Sequence, residues 1–376
     1  MSLNKNERLT KIDPYELCPC GSGNKFKFCC HQRARKSKPF DFSGYSTERI
    51  NHMFKENWGN SNFKTCLAFN NKNCQNAIKS AHALQNNRIL NRISEDGHVY
   101  TFANDVGKEV YGEELSKISK NKASTFFGFC DYHDTELFKP IELKEYEKSE
   151  LQNFLFSFRG FCLEYHRKKR KLNFFKDMFN KYPYLLLESQ FVYLYRISQL
   201  DVRDAETEYE GFKYIYDAEK LKDIYTLHRH LNFEVEFAVS SAFSVSHDVN
   251  GNEILSIHNA DEDIEVPGVY INIFPVENGT NIILSYNKKY EKVYKEYFKQ
   301  LENLSESEIL KHLNFLIVNY TENIFFSPRL IERLNSKEID VLLRSFRSSI
   351  VINDMFDLMI RGEYFDFNLF KLGFNN

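Results

Sequence analysis

Apolar positions recur along this chain with two periods, and the change of period divides it. Leu151, Phe154, Leu155, Phe158, Phe161, Cys162 and Tyr165 fall three or four residues apart, which predicts one long amphipathic helix over 144–171. Further helical stretches are expected over 183–199 and 205–227. The period then shortens to two. Phe233, Val235, Phe237 and Val239 alternate, and Phe243 and Val245 keep the same parity. Residues 248–252 read as a turn, after which 254–258 can pair back. Val269, Ile271 and Ile273 alternate again, Asn278-Gly279 is a hairpin signal, and 282–286 returns. Tyr290, Val293, Tyr294, Tyr297, Phe298 and Leu301 then share one helical face that can cover the sheet. Ser305 and Glu308 form a capping box for the next helix, and Ser327-Pro328 suits the start of another. Residues 144–376 therefore read as helices packed on about four antiparallel strands, an α+β domain. Nearer the N-terminus, helices are expected over 47–57 and 86–96, the second capped by Gly97, and a strand over 99–102.

Composition narrows the class without naming an activity. The 376 residues are 42% hydrophobic and 27% charged with a formal net charge of -2, an ordinary globular balance. Such a balance excludes a polyanion binder that works by overall charge. No apolar run reaches the ~20 residues of a membrane span, and 1–15 lacks the apolar core of a signal peptide. No phosphate-binding glycine loop, nucleophile elbow or His-Glu-x-x-His pattern is present. His228 and His230, at an expected helix–strand junction, read as surface residues.

The cysteines carry more. Seven of the eight fall into clusters, with Cys162 alone on the helical stripe, which suits a reducing, cytoplasmic setting better than a disulfide framework. One group runs Cys66, Cys74, His82, then Cys130 and His133. A tetrahedral zinc site wants four such ligands, commonly two from each of two loops, and Cys-x-x-His is a standard half-site. Cys74 and His82 compete for the remaining place. The other group, Cys18, Cys20, Cys29 and Cys30, surrounds a Gly-Ser-Gly turn in a loop too short to fold on burial alone, so a metal would supply its folding energy. His31 competes with Cys30 there. Two ligand sets imply about two zinc ions.

The segment from Cys18 to His31 resembles the SEC-C motif, the zinc-binding tail of the bacterial preprotein translocase motor. That pattern is Cys-x-Cys-x8-Cys followed by Cys or His, and Cys18, Cys20, Cys29 and Cys30 match it. The resemblance implies a docking module for proteins or ribosomes. Residues 61–142 resemble the treble-clef zinc module of HNH endonucleases, and also uncharacterised bacterial proteins that carry SEC-C. By that resemblance Cys66, Cys74, Cys130 and His133 hold zinc and His82 falls at the general-base position. The HNH asparagine before the second pair is missing, with Ser124 and Thr125 near its place. Asp134 stands where a metal-binding His is expected, and an Asp there would suit magnesium.

Two basic runs remain. Arg33, Arg35, Lys36 and Lys38 lead to Pro39 in an expected linker over 32–46, and Arg167, Lys168 and Arg170 lie in the run 166–171. The first reads as a tether or phosphate contact. The second reads as cations at a helix C-terminus or a nucleic-acid contact. The expected layout is a zinc knuckle over 1–31, the linker, a treble-clef-like module over 47–143 and the α+β domain. Two functions are implied: a zinc-binding protein that engages a protein or nucleic-acid partner, or an HNH-like nuclease.

Overall fold

Each stretch of periodic sequence finds a surface to bury, and the result is a seven-stranded antiparallel sheet with helices on both faces. The structure is a computed structural model that describes residues 5–39, 44–75, 78–102, 114–257, 263–348 and 368–370. In chain order the N-terminal elements are α1 (Lys5–Thr10), α2 (His31–Lys36), α3 (Thr47–Asn60), β1 (Ile78–His82), α4 (Asn91–Ile93), β2 (His98–Phe102), β3 (Leu115–Ser119), β4 (Thr125–Cys130) and α5 (Asp131–Glu142). The later elements are α6 (Glu150–Lys181), α7 (Ser189–Asp217), β5 (Ile224–Leu231), β6 (Phe237–Phe243), β7 (Val269–Val276), β8 (Gly279–Asn287), α8 (Glu291–Asn303), α9 (Glu306–Tyr320), β9 (Ile324–Phe326), α10 (Pro328–Arg333) and α11 (Ser336–Ser348).

The large sheet runs β3-β2-β9-β6-β7-β8-β5, and β1 pairs with β4 in a separate two-stranded sheet. Successive side chains of a strand point to opposite faces. On one face Ile271, Ile273, Ile282 and Leu284 pack with Tyr294, Phe298, Leu313 and Leu316 of α8 and α9. On the other, Tyr270, Phe274 and Ile283 pack with Phe158, Phe161 and Phe212 of α6 and α7. Covered on both faces, β7 and β8 are buried along almost their whole length. The fold is α+β, with helices on an antiparallel sheet, as the periodicity predicts.

Several elements differ from expectation. The basic run 166–171 does not end a helix. α6 continues to Lys181 because its apolar stripe resumes at Phe175, Met178 and Phe179, which are buried. The run therefore sits mid-helix, where the dipole gives it no role. The two helices expected over 183–227 are one helix, α7, after a 3-10 turn at Pro183–Leu187. A 3-10 turn at Leu221–Asp223 then leads into strand β5, whose eight residues pair with β8 throughout, so His228 and His230 lie in a strand. The helix expected over 86–96 is a π turn, Asn86–Leu90, leading into α4, and the chain is extended by Ser94. Residues 254–257 form no strand, and His258 lies outside the described residues. The capping box of α9 is present, with both of its hydrogen bonds.

Sheet pairing also crosses the expected boundary at 143. β2 joins the sheet through β9, where Tyr100 faces Phe326 and Thr101 Oγ1 donates to the Ile324 carbonyl at 2.8 Å. The N-terminal knuckle is packed down as well. Cys18, Phe26, Cys30 and Ala34 are buried in one cluster with Phe175, Met178 and Phe179 of α6, Leu185, and Val192 and Tyr195 of α7.

Glu208 on α7 gives a pH test of this packing. It is buried, and its Oε1 accepts from the Gly268 amide and the Tyr270 hydroxyl. Burial raises its pKa, against the pull of the Tyr270 hydrogen bond and Lys168. A folded pKa above the unfolded value means that the stability present at low pH is lost as pH rises towards the folded pKa. Glu208→Gln keeps the Oε1 acceptor and removes the charge. Its melting temperature is expected to match wild type near pH ~4, the unfolded glutamate value, and to exceed it increasingly towards pH ~8. Parallel calorimetric profiles across that range would exclude the assignment.

Candidate metal centres and the polar cluster beside them

Two groups of ligand atoms converge, Cys18, Cys20, Cys29 and Cys30 in one and Cys66, Cys74, Cys130 and His133 in the other. Within each, the ligand atoms all lie within 4.8 Å of one another. In the first loop Gly21 and Gly23 take positive φ (80° and 77°), which turns the chain back so that the Cys18 amide donates to the Asn24 carbonyl at 2.7 Å. Cys20 and Cys29 Sγ are 3.5 Å apart, and Cys29 and Cys30 Sγ 3.7 Å. With Zn–S bonds of about 2.3 Å, thiolates at the corners of a tetrahedron are about 3.8 Å apart, so this spacing suits one tetrahedral ion. The group contains Cys30. His31 instead sets its ring edge-on against Phe26.

The second group is built by a loop, a hairpin and a helix. The amides of Thr65 and Leu67 donate to the carbonyls of Phe127 and Gly128, which lays Cys66 beside β4. A Cβ at Gly128 would meet the Phe126 ring at 2.0 Å, so any other residue here must displace that ring. Asn73, at φ 60°, turns the loop towards Cys74. Cys130 is the N-cap of α5 and accepts from the His133 amide. His133 turns Nδ1 to Cys66 Sγ (3.3 Å) and Cys130 Sγ (3.2 Å), while its Nε2 faces the Lys72 carbonyl at 3.1 Å. With Nε2–H donating to that carbonyl, Nδ1 holds the ligand lone pair, the usual backing of a metal histidine. Cys74 Sγ lies 3.9 Å from Cys130 Sγ. His82 is not in the group; it ends β1 opposite Thr125, away from the Ile78–Cys130 end of the hairpin.

Burial and hydrogen bonding act in opposite directions on these thiols. Burial pushes the Cys18 and Cys66 thiols up to about 11. Burial also opposes ionisation of Cys20, but hydrogen bonds from Ser22 and from the Cys18 and Cys29 thiols hold it at about 7. At Cys130 the Gln75 and His133 amides likewise outweigh burial and lower the thiol. A dication that binds these groups must displace their protons, so occupancy falls on acidification.

No family profile, curated protein or solved structure matches this chain.

Beside the second group lies a polar cluster. Arg159, 3% exposed, projects from α6 over the Phe138 ring of α5 at 4.8 Å and donates to Glu142 Oε1 at 2.5 Å. Three buried atoms in this cluster have no hydrogen-bond partner among the described residues: His82 Nε2, Asp134 Oδ1 and Arg159 Nε. The backbone of Lys120 and Asn121 lies against the His82 ring and acts to raise its pKa. Burial, and then Arg159, lower the pKa of His82, which favours its neutral form. Burial raises Asp134 against the opposing charge of Arg159. Arg159 is not apparent as a site residue from sequence. Its one signal is a cation set between Phe158 and Phe161 on an apolar stripe.

The basic residues are largely spoken for. A groove of about 620 Å³ separates the β1–β4 hairpin from mid-α6. In it Arg167 pairs with Glu164 (3.0 Å) and Glu322 (3.9 Å), and Lys171 with Asp201 (3.6 Å). Arg170 donates twice to the Trp58 carbonyl and lies 4.3 Å over its ring. Lys168 is half-exposed. Arg33 on α2 donates to the Asn180 carbonyl, whereas Arg35 and Lys36 are exposed. No helix among the described residues is long and apolar enough to cross a membrane.

Proposed function

We propose that the protein is a zinc-stabilised binding protein that docks a protein partner through its N-terminal knuckle. One observation carries this reading. Tyr15, Leu17 and Phe28 are 59%, 69% and 73% exposed although Phe26, in the same loop, is buried. Lys27 lies over the rings of both Tyr15 (5.0 Å) and Phe28 (5.8 Å), and Lys25 is 5.9 Å from the Tyr15 ring. Large apolar side chains clustered on a surface and rimmed by charge mark interaction sites. The rim is cationic, so the partner presents an apolar anchor flanked by acids. The resemblance to SEC-C points the same way, and zinc suits the four-thiolate set better than harder cations do. The ion-paired state of Arg167 and the carbonyl-bound state of Arg170 favour protein over nucleic acid as the partner. Affinity capture from the native cell extract tests the proposal. Tyr15→Ala with Phe28→Ala is expected to lose the specific partner while two zinc ions and the melting temperature are retained. A partner held equally well by the double variant would overturn it.

A second reading, an HNH-like metal-dependent nuclease of cytoplasmic setting, is favoured by the three unpartnered atoms around Arg159. A β-hairpin leading into α5, with a neutral His82 whose Nε2 is free to take a proton, is an arrangement that can activate water. Asp134 would hold magnesium. Incubation with plasmid, single-stranded DNA and RNA in the presence of magnesium tests it. His82→Ala is expected to abolish cleavage and leave both zinc ions in place. Loss of zinc on that substitution would make His82 a structural residue and remove the reading's central base.

A further inference from the structure

We infer that a cleft between the β7–β8 turn and the segments 85–92 and 141–146 binds a small planar ring that carries an anionic group at one end and an N–H donor at the other. The cleft is separate from both thiolate clusters and from the knuckle surface, so this inference stands apart from the functions proposed above. Its volume is about 440 Å³, inside the ~300–1,000 Å³ range of small-ligand sites.

The floor is aromatic and fixed. Phe156 and Phe274 stack at 5.3 Å and 21°, and Tyr146 meets Phe156 edge-on at 5.8 Å. Such a floor favours a flat ring, which can stack on it or meet it by an edge. The rim is polar and differs from end to end. Arg88 is held by the carbonyls of Lys144 (2.7 Å) and Glu142 (3.4 Å), with Glu145 3.9 Å away. Arg92 is committed to Glu234, which does not line the cleft, by two hydrogen bonds of 3.0 and 2.9 Å. Lys144 lines the same rim, is exposed, and its ammonium has no ion pair or hydrogen bond among the described residues. Of the three lining cations it alone has no protein partner to give up on meeting an anionic group. The Glu277 carboxylate, on the β7–β8 turn, has no such partner either and sets the opposite preference, for a donor. Two sources share this chemistry: a purine nucleoside monophosphate and an amino-substituted aromatic acid.

The full-length zinc-loaded protein is titrated by calorimetry with adenosine 5′-monophosphate, with 4-aminobenzoate and with inorganic phosphate. Saturable 1:1 binding of one of the first two, and none of phosphate, is expected, and which one binds separates the sources. Lys144→Glu, at an exposed position, is expected to weaken that binding by about tenfold or more, the effect of reversing one charge worth roughly 1.4 kcal/mol. Val276→Trp, which fills the cleft from the strand end, is expected to abolish it. Both variants should keep their metal content and melting temperature. Absence of binding by both ring compounds up to about 5 mM, weaker than a specific small-ligand site requires, would overturn the inference. So would binding that Lys144→Glu leaves unchanged, or equal binding of phosphate alone.

Discussion

Cys130→Ser is expected to release one metal ion per chain and to lower the main melting transition by on the order of 10 °C. Cys130 is fully buried, caps α5, and lies 3.2 Å from His133 Nδ1 and 3.9 Å from Cys74 Sγ. Serine is a poor zinc ligand, so three ligands remain and the bound ion is lost. A structural zinc contributes about 10–16 kcal/mol in isolated fingers, comparable with or above the whole ~5–15 kcal/mol of a domain. Part of that survives here, because Phe129 and Phe138 around the site pack against Phe158 in the core under the large sheet. Core packing holds the hairpin while the loop carrying Cys66 and Cys74 detaches. Metal analysis and calorimetry on the same sample test both halves. An unchanged metal content would remove Cys130 from the ligand set.

The double variant Cys18→Ser, Cys20→Ser is expected to lose the other ion and to lower the same transition, by several degrees at least. A knuckle that hung on a flexible linker would give a different result, a change confined to itself. The structure ties it down instead. Phe26, Cys30 and Ala34 are buried against Phe175, Met178 and Phe179. Asn180 Nδ2 donates to the Cys20 carbonyl, Arg33 donates to the Asn180 carbonyl, and Arg196 reaches both Glu16 and the Arg8 carbonyl. When the ion leaves, the loop opens and the C-terminal third of α6 loses its cover. A main transition that stays within a degree of wild type would show that the knuckle unfolds independently of α6 and α7.

The convergence of the two groups was legible because cysteine and histidine in short loops have few other roles, and the sequence places all eight residues in two candidate sets. Geometry was needed to choose Cys30 over His31 and Cys74 over His82. The capping box at Ser305 and Glu308 was legible for a similar reason, since it is written in four consecutive residues. Long-range placement was not. β9 has three residues, too few for a period, and is a strand only because β2 and β6 flank it. The end of α6 was misplaced because the basic run 166–171 interrupts a stripe that continues to Phe179. The polar cluster joins residues 82, 134 and 159 from three elements, and nothing local marks them as neighbours.

The position of β9 has a consequence for biosynthesis. During translation, residues 98–119 leave the ribosome about two hundred residues before Ile324, whose carbonyl accepts the Thr101 hydroxyl across the β2–β9 junction. Until that tripeptide is made, β2 and β6 have no strand between them to join them, and the β2–β3 hairpin carries an unpaired edge. The eight residues of the two candidate metal groups are all made by residue 133, so both groups can be assembled first. The sheet closes only when Ile324–Phe326 arrives between its two parts. A nascent chain halted before residue 324 would therefore have both cysteine groups complete yet be open along one strand edge, the state in which chaperones would most readily hold it.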